Sequence, residues 1–149
     1  MRTALSREGF TLLEMMMVIF LIGLILAISV AMLANTLPSQ KVDATAREMI
    51  ATFRLARSAA MTSGQWRVLT LDMDSRQYGL EGGAQRPIPE EVTVEVKDPL
   101  YGEIKRGGYR FVFAPSGVSE GGTIVLSAGT KTVDVDVDPI VGAVYSYPK

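Results

Sequence analysis

The chain has 149 residues, 48% hydrophobic and 21% charged, with no histidine, no cysteine and a formal net charge of −1. The missing side chains exclude a Ser-His or Cys-His nucleophilic relay, a zinc finger, haem held through histidine and any disulfide. The length fits one globular domain, and the near-neutral balance exerts no global pull on nucleic acid.

The apolar residues are unevenly placed. Residues 10–34 hold 21 of them in 25 positions, a membrane-grade density, whereas the 115 residues that follow hold 47, an ordinary globular share. As a helix, 10–34 is about 37 Å long, enough to cross a hydrocarbon core of about 30 Å. A secretory signal peptide competes with this reading, because Ser29, Val30 and Ala31 have the spacing that signal peptidase accepts. Against it, the run is longer than a usual signal core and contains a carboxylate, Glu14. A charge in a bilayer is costly, so Glu14 either snorkels to the nearby headgroups or has a partner.

The residues around Glu14 favour a partner. Arg7-Glu8-Gly9-Phe10-Thr11-Leu12-Leu13-Glu14 resembles the class III signal of type IV prepilins and type II secretion pseudopilins: a short charged leader ending in Gly, then Phe-Thr-Leu-Leu-Glu opening the transmembrane helix. The resemblance implies that 1–9 is a cytoplasmic leader, that prepilin peptidase cuts between Gly9 and Phe10, and that the new Phe10 amine is methylated. Gly9 lacks a Cβ, which lets the backbone enter a narrow protease cleft. Glu14 would then neutralise the Phe10 ammonium of a neighbouring subunit during filament assembly. Charge does not set the orientation, since Arg2 and Arg7 on one side are matched by Lys41 and Arg47 on the other. The cytoplasmic leader and a periplasmic remainder rest on the resemblance.

Beyond residue 34 the apolar signal becomes periodic. Val42, Ala46, Met49, Ile50, Phe53, Ala56 and Ala60 recur at three- and four-residue steps, so 35–64 is expected to be an amphipathic helix with one buried stripe, ended by Gly64. Pro38 is expected to kink or briefly interrupt a helix running through both segments.

Residues 65–149 switch to period two. Segments 66–71 and 77–80 flank a polar turn and predict a hairpin. Val92, Val94 and Val96, then Tyr109, Phe111 and Phe113, then Val133, Val135 and Val137 each alternate with other residues, and 124–126 and 140–145 are predicted as further strands. Residues 77–108 otherwise look loop-rich. The expected fold class is α+β: a long amino-terminal helix, transmembrane in its first half, packed on a sandwich-like domain of about seven strands in two antiparallel sheets.

Phe113-Ala114-Pro115-Ser116-Gly117 followed by Gly122-Thr123-Ile124-Val125-Leu126 resembles the Phe-x-Pro-x-Gly … Gly-x-Ile-x-Leu signature of H-type minor pseudopilins and related minor pilins. Gly142-Ala143-Val144 departs from the Gly-Arg-Val of many such relatives, which weighs against an anion- or DNA-binding role at that position.

Asp134, Asp136 and Asp138 alternate along one predicted strand face, with carboxylates about 6–7 Å apart. Two of them with loop carbonyls could serve an exposed calcium, but the plainer reading is a solvated face that discourages edge pairing. The glycine pairs at 82–83, 107–108 and 121–122 lack the context of a phosphate loop. Lys105 and Arg106 with Tyr101 and Tyr109 make only a small basic-aromatic loop.

The resemblance therefore implies a non-enzymatic, cofactor-free minor pseudopilin of a type II secretion system. It would be a single-pass inner-membrane protein with a periplasmic domain, working in a filament that drives export of folded proteins. Its expected partners are I-, J- and K-type minor pseudopilins, the G-type major pseudopilin and the prepilin peptidase and methyltransferase, without nucleic acid. The alternatives are a minor pilin of a type IV pilus, priming assembly or taking up DNA, and a secreted module behind an ordinary signal peptide.

Overall fold

A computed structural model describes residues 10–148, the side chains of 30–37 excepted. The chain divides into two compact units, the second being Leu37–Lys149. A single helix, α1 (Leu12–Ser63), is assigned without a break at Pro38. The expected interruption there is absent: proline removes one N–H from the helical ladder, yet a single lost bond leaves the helix assignment continuous.

The membrane-grade stretch, Leu12–Ser29, buries none of its residues, and Glu14 is its one ionisable side chain. From residue 42 onward the same helix behaves differently. Val42, Ala46, Met49, Ile50, Phe53, Ala56 and Ala60 are all buried, the stripe that the spacing demands.

Nine strands are assigned among the described residues: β1 (Arg67–Asp72), β2 (Gln77–Leu80), β3 (Gln85–Pro87), β4 (Thr93–Asp98), β5 (Gly102–Ile104), β6 (Gly108–Phe113), β7 (Gly122–Ala128), β8 (Lys131–Val137) and β9 (Val144–Pro148). They form two antiparallel sheets, ordered β3-β2-β1-β6 and β5-β4-β7-β8-β9. The inward residues of both sheets and the helix stripe make one hydrophobic core. Phe53 lies at its centre, edge-on to Phe111 at 4.8 Å and to Phe113 at 6.1 Å between ring centroids. Such pairs add about 0.5–1.5 kcal/mol each to the burial itself.

The seven expected strands become nine because β3 and β5 are three-residue strands within the stretch expected to be loops. Both sit on sheet edges, where little burial is required and no alternation is written into the sequence. The strand expected over 140–145 begins only at Val144. Its first residues are in a turn instead, because the Asp138 carboxylate accepts the N–H groups of Ile140 at 2.7 Å and Val141 at 2.9 Å, removing them from any ladder.

Candidate functional site

The helix start is built by Thr11. Its hydroxyl accepts the Glu14 N–H at 3.2 Å and its carbonyl accepts the Met15 N–H at 3.2 Å, so Thr11 is the N-cap and Glu14 the third helical residue. Thr-x-x-Glu is the spacing of a capping box. A carboxylate one turn into a helix also meets the positive end of the peptide dipoles. Glu14 therefore has a local reason to be there.

Phe10 precedes the cap and is 75% exposed. Gly9, the other half of the expected cleavage position, lies outside the described residues. Phe10 lies two residues before the first helical residue, Leu12, and Glu14 lies in the first turn. Beyond them Leu13, Met16, Met17, Phe20 and Leu21 line a shallow, almost wholly apolar groove. Ser29, the polar side chain at the end of the stretch, donates its hydroxyl to the Ile25 carbonyl at 2.9 Å, which satisfies it without water.

The three carboxylates at 134, 136 and 138 are not gathered. Asp136 accepts the Thr123 hydroxyl at 2.8 Å across the β7–β8 ladder. Asp138 lies beyond β8 and holds the turn described above. Among the described residues no group of three or more acidic side chains is placed to hold a metal ion. The basic-aromatic loop is likewise dispersed, since Lys105 pairs with Glu95 at 3.3 Å and Glu103 at 3.7 Å.

Tyr109 donates its hydroxyl to Asp98, linking β6 of one sheet to the end of β4 in the other. That bond is the main reason the Asp98 carboxyl is held below the usual range; burial opposes it, and the N–H groups of Tyr101 and Leu100 add to it. Burial, then the facing carboxylate, pushes the Tyr109 hydroxyl well above its usual value.

The Phe-x-Pro-x-Gly segment forms a tight turn in which the Ala114 carbonyl accepts the Gly117 N–H at 2.8 Å and Ala114 N–H donates to the Val118 carbonyl at 2.9 Å. Gly117 has φ +85°, a conformation glycine adopts freely. Its carbonyl accepts the Arg57 Nε–H at 3.1 Å, fastening the turn to α1. Gly142 packs on the same carbonyl so closely that a Cβ there would lie 2.0 Å from the oxygen. Sequence reasoning singled out Gly117 within the 113–126 signature and noted Gly142, but missed this three-way junction. Its arginine is half-buried beside the apolar stripe of α1, where no local pattern in the sequence signals a partner.

The family model described as Type II transport protein GspH matches residues 45–140, and that of the prokaryotic N-terminal methylation motif matches residues 5–30. The type II secretion system protein H of Xanthomonas campestris pv. campestris is 27% identical over 141 residues, covering 95% of this chain and 83% of that protein. Among solved structures, the minor pseudopilin EpsH from the type 2 secretion system of Vibrio cholerae superposes with a TM-score of 0.57 at 15% identity, over 72% of this chain and 97% of that one. The type IV minor pilin FimU of Pseudomonas aeruginosa gives 0.51 at 14% identity, over 71% and 92%. At these identities the two structures speak for the fold alone.

Proposed function

Because the chain belongs to the Type II transport protein GspH family, which makes it a minor pseudopilin of type II secretion, we propose a specific course for its maturation and assembly. Prepilin peptidase removes 1–9 by cutting between Gly9 and Phe10, and the Phe10 amine is methylated. The chain waits in the inner membrane as a single-pass protein with Leu37–Lys149 in the periplasm. It then joins a filament with other pseudopilins, the I-, J- and K-type minor subunits and the G-type major subunit, and the filament helps drive folded proteins outward.

The observation that carries this reading is the stretch Leu12–Ser29, apolar on every side, buried nowhere, and holding one carboxylate at its capped start. Such a helix needs lipid before assembly and other helices after it. A neighbour's Phe10 ammonium turns the lone Glu14 charge into a pair, which fixes the axial register of one subunit on the next.

Sequencing the mature amino terminus tests the maturation step. The expected chain begins at methylated Phe10; one beginning at Met32 overturns it. The likeness to a type IV minor pilin keeps a pilus role as a second reading, and deleting the gene separates the two. Loss of exoprotein release with twitching intact supports secretion, and the reverse supports the pilus.

A further inference from the structure

The sequence Asp98-Pro99-Leu100-Tyr101-Gly102 has a second copy in Asp138-Pro139-Ile140-Val141-Gly142. The two fold alike. In the first, Asp98 Oδ1 accepts the N–H groups of Leu100 at 2.7 Å and Tyr101 at 2.8 Å, and in the second Asp138 Oδ1 does the same for Ile140 and Val141. Each turn ends on a glycine with positive φ, +78° at Gly102 and +63° at Gly142. Each displays two apolar side chains to solvent: Leu100 is 86% and Tyr101 81% exposed, Ile140 79% and Val141 53%.

The register places both turns at the same end of one sheet. Lys97 pairs with Thr123 and Thr123 with Asp136, so β4 and β8 run in the same direction on either side of β7 and finish side by side, about 10 Å apart. The Gly121-Gly122 backbone lies between them, close to Pro139 on one side and the Lys97 carbonyl on the other. Because the turn backbones are already held by hydrogen bonds, binding through these apolar side chains needs no loop ordering, which suits an interface anchor.

The second turn borders a cleft of about 490 Å³ lined by Arg54, Arg57 and residues 142–145. Arg57 is held through Nε by Gly117, and Arg54 reaches the Val144 carbonyl at 3.5 Å. Among the described residues neither guanidinium has a salt bridge. The opposite end of the unit, about 23 Å away along β8, carries charged pairs instead, Lys41 with Glu91 and Lys131 with Asp43. In a second copy stacked end to end, these anchors would meet those charged pairs.

From this geometry we infer that the paired turns and the arginine cleft form a docking face for a different subunit of the same assembly, one presenting an apolar surface bordered by a carboxylate. Leu100, Tyr101, Ile140 and Val141 enter the apolar surface, and Arg54 and Arg57 receive the carboxylate. The inference rests on the assembly reading above and names the surface through which the globular unit takes part in it.

The test places benzoylphenylalanine at position 100, 140 or 130 of the full-length chain, expressed in its own host. Illumination is expected to give an adduct with one and the same other subunit from 100 and 140, and none with that subunit from 130. Absence of the adduct at both positions, or adducts only with a second copy of this chain or with lipid, overturns the inference. Leu100→Asp combined with Ile140→Asp, probed from position 141, is expected to lower the adduct at least tenfold. The turn N–H bonds are made by backbone and survive these substitutions, so an unchanged melting temperature is expected alongside; an undiminished adduct overturns the inference. Wild-type complementation of a deletion strain is read separately. If it restores secretion while the double variant does so equally well, the docking face is wrong and the assembly reading stands; if the deletion itself has no secretion defect, the assembly reading fails.

Discussion

Two stretches of α1 share one backbone conformation and part in everything else. In Leu12–Ser29 apolar side chains cover all sides and none is buried, whereas between Val42 and Ala60 seven of them, Val42, Ala46, Met49, Ile50, Phe53, Ala56 and Ala60, line up in one buried stripe. The first stretch has no partner inside the described chain; the second is finished by the chain's own sheets. Helical propensity does not separate the two. The angular distribution of apolar residues does, and it divides the work between an assembly element and a folding element.

The largest effect expected from this contrast is at Phe53. Phe53→Ala empties the ring position shared with Phe111 and Phe113 and should cost about 3–5 kcal/mol. Leu21→Ala, in the exposed stretch, should change the stability of the globular unit by less than about 0.5 kcal/mol. Thermal melting of both full-length variants in detergent measures this, and equal losses would erase the distinction between the stretches. Gly142→Ala comes next. It drives a Cβ into the Gly117 carbonyl and should cost about 2–3 kcal/mol, with release of Arg57 from the turn as its structural sign. A variant as stable as the parent would show that the junction does not hold the turn to the helix.

How much of this was readable in sequence follows the same contrast. The apolar run, the Phe-Thr-Leu-Leu-Glu start and the stripe from Val42 to Ala60 are local patterns, and local patterns survive into structure. Leu69, Leu71, Phe111, Phe113 and the valines of β4 and β8 alternate because one face meets the core. The strands β3 and β5 left no such mark, being exposed edges defined by their neighbours. Ile140 and Val141 look like strand residues by composition, but the Asp138 carboxylate takes their N–H groups. The Arg57–Gly117–Gly142 junction joins positions far apart in sequence, which no periodicity encodes. The duplicated Asp-Pro-x-x-Gly turn was visible in the letters, yet its meaning depends on β4 and β8 ending side by side.

Smaller effects sharpen the comparison at its edges. Thr11→Ala removes the hydroxyl that accepts the Glu14 N–H and should weaken the first turn by about 1 kcal/mol, seen as faster amide exchange at Glu14 with no change in the globular unit. Faster exchange throughout Leu37–Lys149 would contradict that confinement. The smallest effect is in acid. The Asp98 carboxyl is held below its ordinary value chiefly by Tyr109, so its stabilising contribution is complete above the unfolded value of about 3.9 and is lost as pH falls through the lower folded one. Tyr109→Phe should raise the Asp98 value toward the ordinary range and move acid unfolding to higher pH, both measurable by NMR titration. An unmoved Asp98 would place the cause in the backbone N–H groups instead.

Glu14 is where the two roles of the exposed helix meet, because it has the capping-box spacing from Thr11, whose hydroxyl accepts its N–H, and is the proposed partner of a neighbour's Phe10 ammonium. Glu14→Gln separates them, since glutamine can still serve the box but carries no charge. The decisive measurement is the fraction of full-length Glu14→Gln chain recovered in the filament fraction after normal insertion and cleavage. A fall of at least tenfold is predicted if the charge pairs between subunits; recovery equal to the parent would contradict that pairing and leave Glu14 only its place in the first turn of the helix.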